Sequence, residues 1–349
     1  MFQSFASNSY AQLQDEALKT KKLHDLVLDH GPEETVRSAE SAVLAREESL
    51  DPQLSLLDAL AGRSGRRIAD TALSAVVREA EGRVAPGHSY SAWSLTGLPH
   101  RDIPLGTDWR IRGDFADLVI RPGIRIEEEG EEQLGVPFGT IARLLLIDWQ
   151  SRSIETNSRE IYIGKSPAEL ANRMGLGRGG PTNNRLREQL ERLVNCTITF
   201  RFGKDDAGVI VNERIVEAYK YSGKVDPRSK SKTRWIERIV LSEAYFNELK
   251  KHPVRIDREA IKDIQTSPQA IDAYLWLAFR LHVLQSDTFV SWPSLWKSFG
   301  HQYKLLRTFK REFLEPFSIA HAAYPNSRVD ISERGITLKP SPPPVPLKA

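Results

Sequence analysis

The stretch Phe289-Val-Ser-Trp-Pro-Ser-Leu-Trp-Lys-Ser-Phe-Gly-His-Gln-Tyr-Lys-Leu-Leu-Arg-Thr-Phe-Lys-Arg-Glu-Phe-Leu-Glu315 decides the fold. Phe289 to Trp292 is strand-like, Pro293 opens a short helix over 294–299, Gly300 stops it, and a longer helix runs from Tyr303 to Glu315. Proline at the first helical turn with glycine just past the end marks a short helix. The same pattern occurs earlier as Glu160-Ile-Tyr-Ile163, Ser166-Pro167, a helix over 168–174, a stop at Gly175 and a longer helix from Asn183 to Val194. Pro167 and Pro293 stand 126 positions apart (293 − 167). Each longer helix is followed by two β-type runs separated by turn residues, in the first case 197–202 and 209–219. Strand, helix, turn, helix, hairpin is the order of a winged helix-turn-helix, and two such modules in one chain point to DNA.

The fold expected is therefore α+β, two tandem winged-helix domains with an N-terminal helical extension. Working outward, residues 1–82 read as helices, including 51–60 and 66–77. Residues 83–222 form the first winged-helix domain, which could serve dimerisation, and include a strand candidate at 117–120, an acidic loop at 127–132 and a core helix over 141–155. Residues 223–234 are a basic linker, 235–340 the second winged-helix domain and main DNA reader, and 341–349 an extended proline-rich tail.

The helix from Tyr303 carries the sharpest functional signal. Leu306, Phe309 and Phe313 recur at helical spacing and face a core, whereas Lys304, Arg307, Thr308 and Arg311 follow i, i+3, i+4, i+7 on another face, with Lys310 flanking it. Such a face suits a major groove: arginine can grip guanine with two hydrogen bonds and lysine can neutralise phosphate. Arg328 and Arg334 belong to the hairpin that follows, as candidate wing contacts. In the first module Arg185, Gln189 and Arg192 share the side of the helix opposite Leu186, Leu190 and Leu193. Lys230, Lys232 and Arg234 in the linker can lie along phosphates, or simply be solvated.

Charge is distributed unevenly. Residues 1–135 carry 15 Lys+Arg against 23 Asp+Glu (−8), residues 136–222 carry 13 against 10 (+3), and residues 223–349 carry 21 against 13 (+8), which sum to the whole chain's +3. The C-terminal third is thus the expected polyanion-binding surface. With 40% apolar and 27% charged residues the chain is ordinary for a globular protein of two or three domains. The opening residues lack a signal peptide's basic and apolar regions, and no apolar run approaches a membrane span, so a cytoplasmic protein is expected.

Catalytic patterns are missing. Cys196 is the single cysteine, which excludes an internal disulfide and cysteine-pair zinc sites; it reads as a small buried apolar residue. Gly175-Leu-Gly-Arg-Gly-Gly180 satisfies G-x-G-x-x-G, but follows a helix where a dinucleotide fingerprint follows a strand. There is no Walker phosphate loop, and the eight histidines contain neither a pair two residues apart nor H-E-x-x-H. No enzymatic activity, cofactor or metal is expected.

Several motifs are also similar to one family: Leu98-Pro-His-Arg101, Gly135-Val-Pro-Phe-Gly-Thr-Ile-Ala-Arg-Leu-Leu-Leu146, Thr156-Asn-Ser-Arg-Glu160, Arg187-Glu-Gln-Leu-Glu-Arg192, Leu241-Ser-Glu-Ala-Tyr-Phe246, His252-Pro-Val254 and Ala273-Tyr-Leu-Trp-Leu277. In this order they resemble the plasmid-encoded RepA replication initiators of the IncW type, over roughly residues 90 to 340. The resemblance implies binding of double-stranded DNA repeats at a plasmid origin, local opening of that DNA and recruitment of host replication proteins. It also implies a division in which one winged-helix domain supports a homodimer and the other reads DNA. A winged-helix transcriptional regulator or autorepressor, and a protein-interaction scaffold, remain the alternatives.

Overall fold

The computed structural model describes residues 52–127, 130–177, 179–203, 209–222 and 234–345. From its start the chain forms helix α1 (Pro52–Ala80), strand β1 (Pro86–Tyr90), helix α2 (Ser91–Leu95), and strands β2 (Trp109–Arg112), β3 (Ala116–Arg121), β4 (Ile124–Glu127) and β5 (Gly130–Gln133). A first unit follows: α3 (Gly139–Thr156), β6 (Glu160–Tyr162), α4 (Pro167–Arg173), α5 (Gly180–Asn195), β7 (Thr197–Phe202), β8 (Val209–Glu213), β9 (Val216–Ser222) and β10 (Trp235–Leu241). A bridge of α6 (Glu243–Lys251), β11 (Pro253–Asp257) and α7 (Arg258–Ile264) leads to the second unit. That unit comprises α8 (Pro268–Arg280), β12 (Thr288–Ser291), α9 (Trp292–Phe299), α10 (Leu306–Ala322), β13 (Arg328–Ile331) and β14 (Gly335–Lys339). The described residues thus form a mixed α/β fold of ten helices and small antiparallel sheets.

The repeat seen in the sequence is also a repeat in topology. In the first unit the three-stranded sheet runs β6-β10-β9, and in the second β12-β14-β13: each time the strand before the helix pair lies against the last strand. The same start signal recurs. Ser166 Oγ accepts the Glu169 N–H ahead of α4 and Ser291 Oγ accepts the Ser294 N–H ahead of α9, each 3.3 Å long, with a proline in the first turn. A long helix opens each unit, and both are central. Residues 270–278 of α8 are all buried, and α3 buries Leu145 and Trp149 completely.

The hairpin of the first unit differs from the sequence reading. Residues 209–219 are not one strand: β8 stops at Glu213 and β9 starts at Val216, with Ile215 buried between them. β8 pairs with β7 in a separate four-stranded sheet, β2-β3-β7-β8, while β9 pairs with β10 from Ser222↔Trp235 to Val216↔Leu241. The hairpin equivalent to β13–β14 is therefore β9–β10. The lysine-rich stretch after Ser222 joins two paired strands, and residues 235–241, read as the head of the second domain, lie in the sheet of the first unit. Residues 128–129 and 223–233 lie outside the described residues.

Other expectations shift in extent. The helix candidates at 51–60 and 66–77 merge into α1; residues 1–51 lie outside the description. The run at 127–132, expected as an acidic loop, instead places Glu127 in β4 and Gly130, Glu131 and Glu132 in β5 of one hairpin, whose Arg125 pairs with Glu191 at 3.0 Å. The proline-rich tail is not free of the protein: Ser341 and Val345 are buried, and Tyr324 donates to the Pro342 carbonyl. Pro342, Pro343 and Pro344 border a pocket that Tyr274 and Tyr324 also line.

Two contacts stand out in how these parts are held together. β1 pairs with β11 along its whole length, Pro86↔Asp257 to Tyr90↔Pro253. Between α3 and α8, Arg143 places all five N–H donors: Nε and Nη2 on the Asp272 carboxylate (2.7 Å each), Nη2 also on Leu98 O, and Nη1 on Gly139 O and Pro99 O. Burial opposes charge on Asp272, but Arg143 and His100 outweigh it and hold its pKa below the ordinary value.

Candidate nucleic-acid interface

The helix carrying the expected reading face is α10, which starts three residues later than its sequence pattern suggested and continues through Pro316 to Ala322. Phe309, Phe313 and Phe317 are each fully buried and hold one face against the core, with Phe309 and Phe313 stacked at 4.9 Å and Phe299 of α9 stacked on Phe313 at 5.2 Å. Anchoring by three aromatic rings fixes the rotation of the helix, so the opposite face is presented to solvent.

On that face Arg307 and Arg311 are exposed, one turn apart. Lys304 is exposed too, but stands in the turn before the helix rather than on it. Neither Lys304 nor Arg307 has an ion-pair partner among the described residues, while Arg311 carries a surface contact to Glu312 at 2.8 Å. Thr308 is half-buried. Lys310 serves the wing instead, since its Nζ donates to Glu333 O at 2.9 Å and sits 5.4 Å above the Trp292 ring. It ties the β13–β14 turn to α10, which sets Arg334 in that turn beside the helix; the Arg334 guanidinium lies over Phe289. Arg328 is exposed at the other end of the hairpin, where it bonds Pro340 O, about 10 Å of strand from the turn. Arg307 and Arg311 thus lie on α10, Lys304 just before it, and Arg334 in the turn that Lys310 ties to it, while Arg328 stands at the far end of the hairpin.

In the first unit the expected polar face is mostly interior. Arg185 is exposed. Gln189 is buried, and its Oε1 accepts the Phe138 N–H at 2.7 Å. Arg192 is buried as well, donating to Asp102 (2.6 Å), Val136 O (3.0 Å) and Glu188 (2.7 Å) with its guanidinium over the Phe138 ring. The segment around 136–138 covers this side of α5, so the helix is packed on two faces and the polar residues satisfy that segment's backbone rather than water. Arg234 is exposed at the base of β10 and lies over the Tyr221 ring. Lys230 and Lys232 lie outside the described residues.

Two groupings escaped the sequence reading. Lys220, Tyr221 and Arg234 belong to one hairpin, β9–β10; the strand-like runs either side of a polar stretch were a usable signal. His301 forms the turn between α9 and α10, where burial, then the nearby His100, push its pKa down to about 4. At neutral pH it adds no charge to the interface.

Among the described residues no group of three or more His, Cys, Asp or Glu is placed to hold a metal ion. Cys196 is buried and its thiol is pushed up to about 12 by burial. No helix of the described residues is long and apolar enough to cross a membrane.

Residues 136–292, from the lead-in of α3 to the start of α9, match the model of the family described as plasmid-encoded RepA protein. No curated protein matches the chain. Two crystal structures of domains 2 and 3 of RctB are similar in outline. One, of selenomethionine derivatives, is 10% identical with a TM-score of 0.47, covering 72% of this chain and 98% of that one; the other is 8% identical with a TM-score of 0.41, covering 70% and 93%.

Proposed function

We propose that this chain is a non-enzymatic plasmid replication initiator that binds repeated duplex DNA at its origin through two winged-helix modules. The observation that carries this reading is the doubled unit. The same strand, helix pair and hairpin recur with the same sheet order, and in the second copy Arg307 and Arg311 stand on the exposed face of the second helix, whose Lys310 holds the hairpin turn. The match of residues 136–292 to the plasmid-encoded RepA family model supports the initiator role.

In this reading α10 enters the major groove. Arg307 and Arg311 reach base edges, Lys304 meets phosphate, and Arg334 in the wing follows the adjacent backbone. The first module adds Arg185 and Arg234, with Lys230 and Lys232 beyond it. Strand opening then follows from deformation of bound DNA and from recruited host proteins, and a homodimer is a second state of the same chain.

The test is fluorescence anisotropy with the repeats flanking this gene. Arg307→Ala should cost about 1–3 kcal/mol and relax specificity if that side chain reads a base. If the doubly substituted R307A/R311A chain stays folded and binds unchanged, α10 is not the reader. Maintenance of a minimal origin by the gene separates an initiator from an autorepressor, which would bind the same DNA without supporting replication.

A further inference from the structure

The sheet β2-β3-β7-β8 buries one face and leaves the other bare. Ile111, Leu118, Ile120, Ile198 and Phe200 point into the core. Side chains alternate along each strand and face the same way when directly opposed, so the outer face can be read from the register. One row is Arg112, Asp117, Arg201, Ile210; the next is Arg110, Val119, Thr199, Asn212; the last is Arg121, Thr197. Four arginines therefore share one open face with no lysine. Three of their side chains are 57–62% exposed although they touch carboxylates: Arg110 and Arg121 share Asp108, and Arg201 pairs with Asp117. Arg112 is exposed and has no partner among the described residues.

We propose that this arginine face is a second, sequence-independent DNA surface that follows the phosphate backbone of duplex flanking the bound repeat. The inference rests on the DNA-binding reading above. Charge complementarity argues for it: four guanidiniums against two carboxylates leave net positive charge, and the side chains between them (Thr197, Thr199, Asn212) are of the kinds that hydrogen-bond phosphate oxygens. Continuity argues for it too. The β2 edge abuts the helix pair of the second module, where Trp109 meets His301 edge-on at 5.9 Å and Lys297 of α9 bonds Asp114 at 3.0 Å. In a helix-turn-helix the first helix crosses the backbone, so duplex held on α10 and passing α9 continues toward β2. A second copy of the chain is the poorer occupant, because the centres of protein interfaces are depleted in charge.

The experiment compares, for the full chain, the footprinted minimal duplex with the same duplex extended by about one helical turn (~10 bp) of random sequence on each side. Wild type should bind the extended duplex more tightly and with a steeper salt dependence. R110Q/R112Q/R121Q/R201Q should keep its affinity for the minimal duplex, lose the preference for length and lower the slope of log K against log salt by about 3–4 units; the corresponding quadruple Lys variant should restore both. Equal affinity of wild type for both duplexes, or a length preference that survives in the Gln variant, overturns the inference and leaves the α10 reading intact. Failure to bind even the minimal duplex overturns the reading itself. Unchanged DNA binding with altered mass in light scattering assigns the face to contact between copies instead.

Discussion

Replacing Arg143 by methionine should expose how the two units are held together. The substitution removes five N–H donors at once and leaves the Asp272 carboxylate, 5% exposed, without its counter-ion between α3 and α8. Stranding one member of a buried ion pair costs about 3–5 kcal/mol. Removing both charges in R143M/D272L should cost much less, about 1–3 kcal/mol, because only uncharged groups then lose partners: the carbonyls of Leu98, Pro99 and Gly139 and the His100 ring. The sign of the pH dependence is distinctive. In wild type the folded pKa of Asp272 is depressed, so its contribution is present above the ordinary carboxylate range and is lost as pH falls through the folded value. Without Arg143, burial raises that pKa instead, so the penalty of R143M relative to wild type should shrink as pH is lowered toward the carboxylate range. Urea denaturation of the two singles and the double across pH measures all of this. A single-mutant cost below about 1 kcal/mol, additive losses in the double, or a penalty that stays flat with pH would refute the reasoning.

Three further outcomes are expected. His301 and His321 are both pushed down to about 4 by burial, so the unfolded chain takes up protons that the folded chain refuses between about pH 6.5 and 4. Stability should fall across that window by roughly 2–3 kcal/mol per histidine, and His321→Gln should flatten the curve when unfolding is followed against pH. Gln189→Leu should destabilise by about 1–3 kcal/mol by orphaning the Phe138 N–H; because the side chain is internal, the salt dependence of DNA binding should not move. Gly335→Ala should loosen β12–β14, since a Cβ there would lie 2.2 Å from Val290 O, and a loss of about 1–3 kcal/mol in urea is expected. A neutral effect would show that the pairing yields at little cost.

What the sequence disclosed, and what it hid, follows from the range of the interactions involved. The helix pairs were legible because their signals are local: a serine or threonine-type cap, an early proline, a terminal glycine and aromatic spacing such as Phe309 and Phe313. Arg307 and Arg311 were legible for the same reason. The pairing of β9 with β10 was not, because a lysine-rich stretch between two strands has the composition of a linker as much as of a long hairpin turn. Gln189 and Arg192 misled because a polar face can satisfy another segment's backbone as readily as it can meet water, and nothing within α5 announces residues 136–138. The arginine face was invisible for want of register: Arg112, Arg121 and Arg201 lie on three strands, and only pairing brings them together.

The most direct test is anisotropy of the intact chain with duplex repeats from beside its own gene, against scrambled duplex of equal length, over a salt series. The expected result is tight binding to the repeats that persists at moderate salt while the scrambled duplex is lost. Equal and steeply salt-dependent binding to both, or none to either, would contradict a sequence-reading initiator.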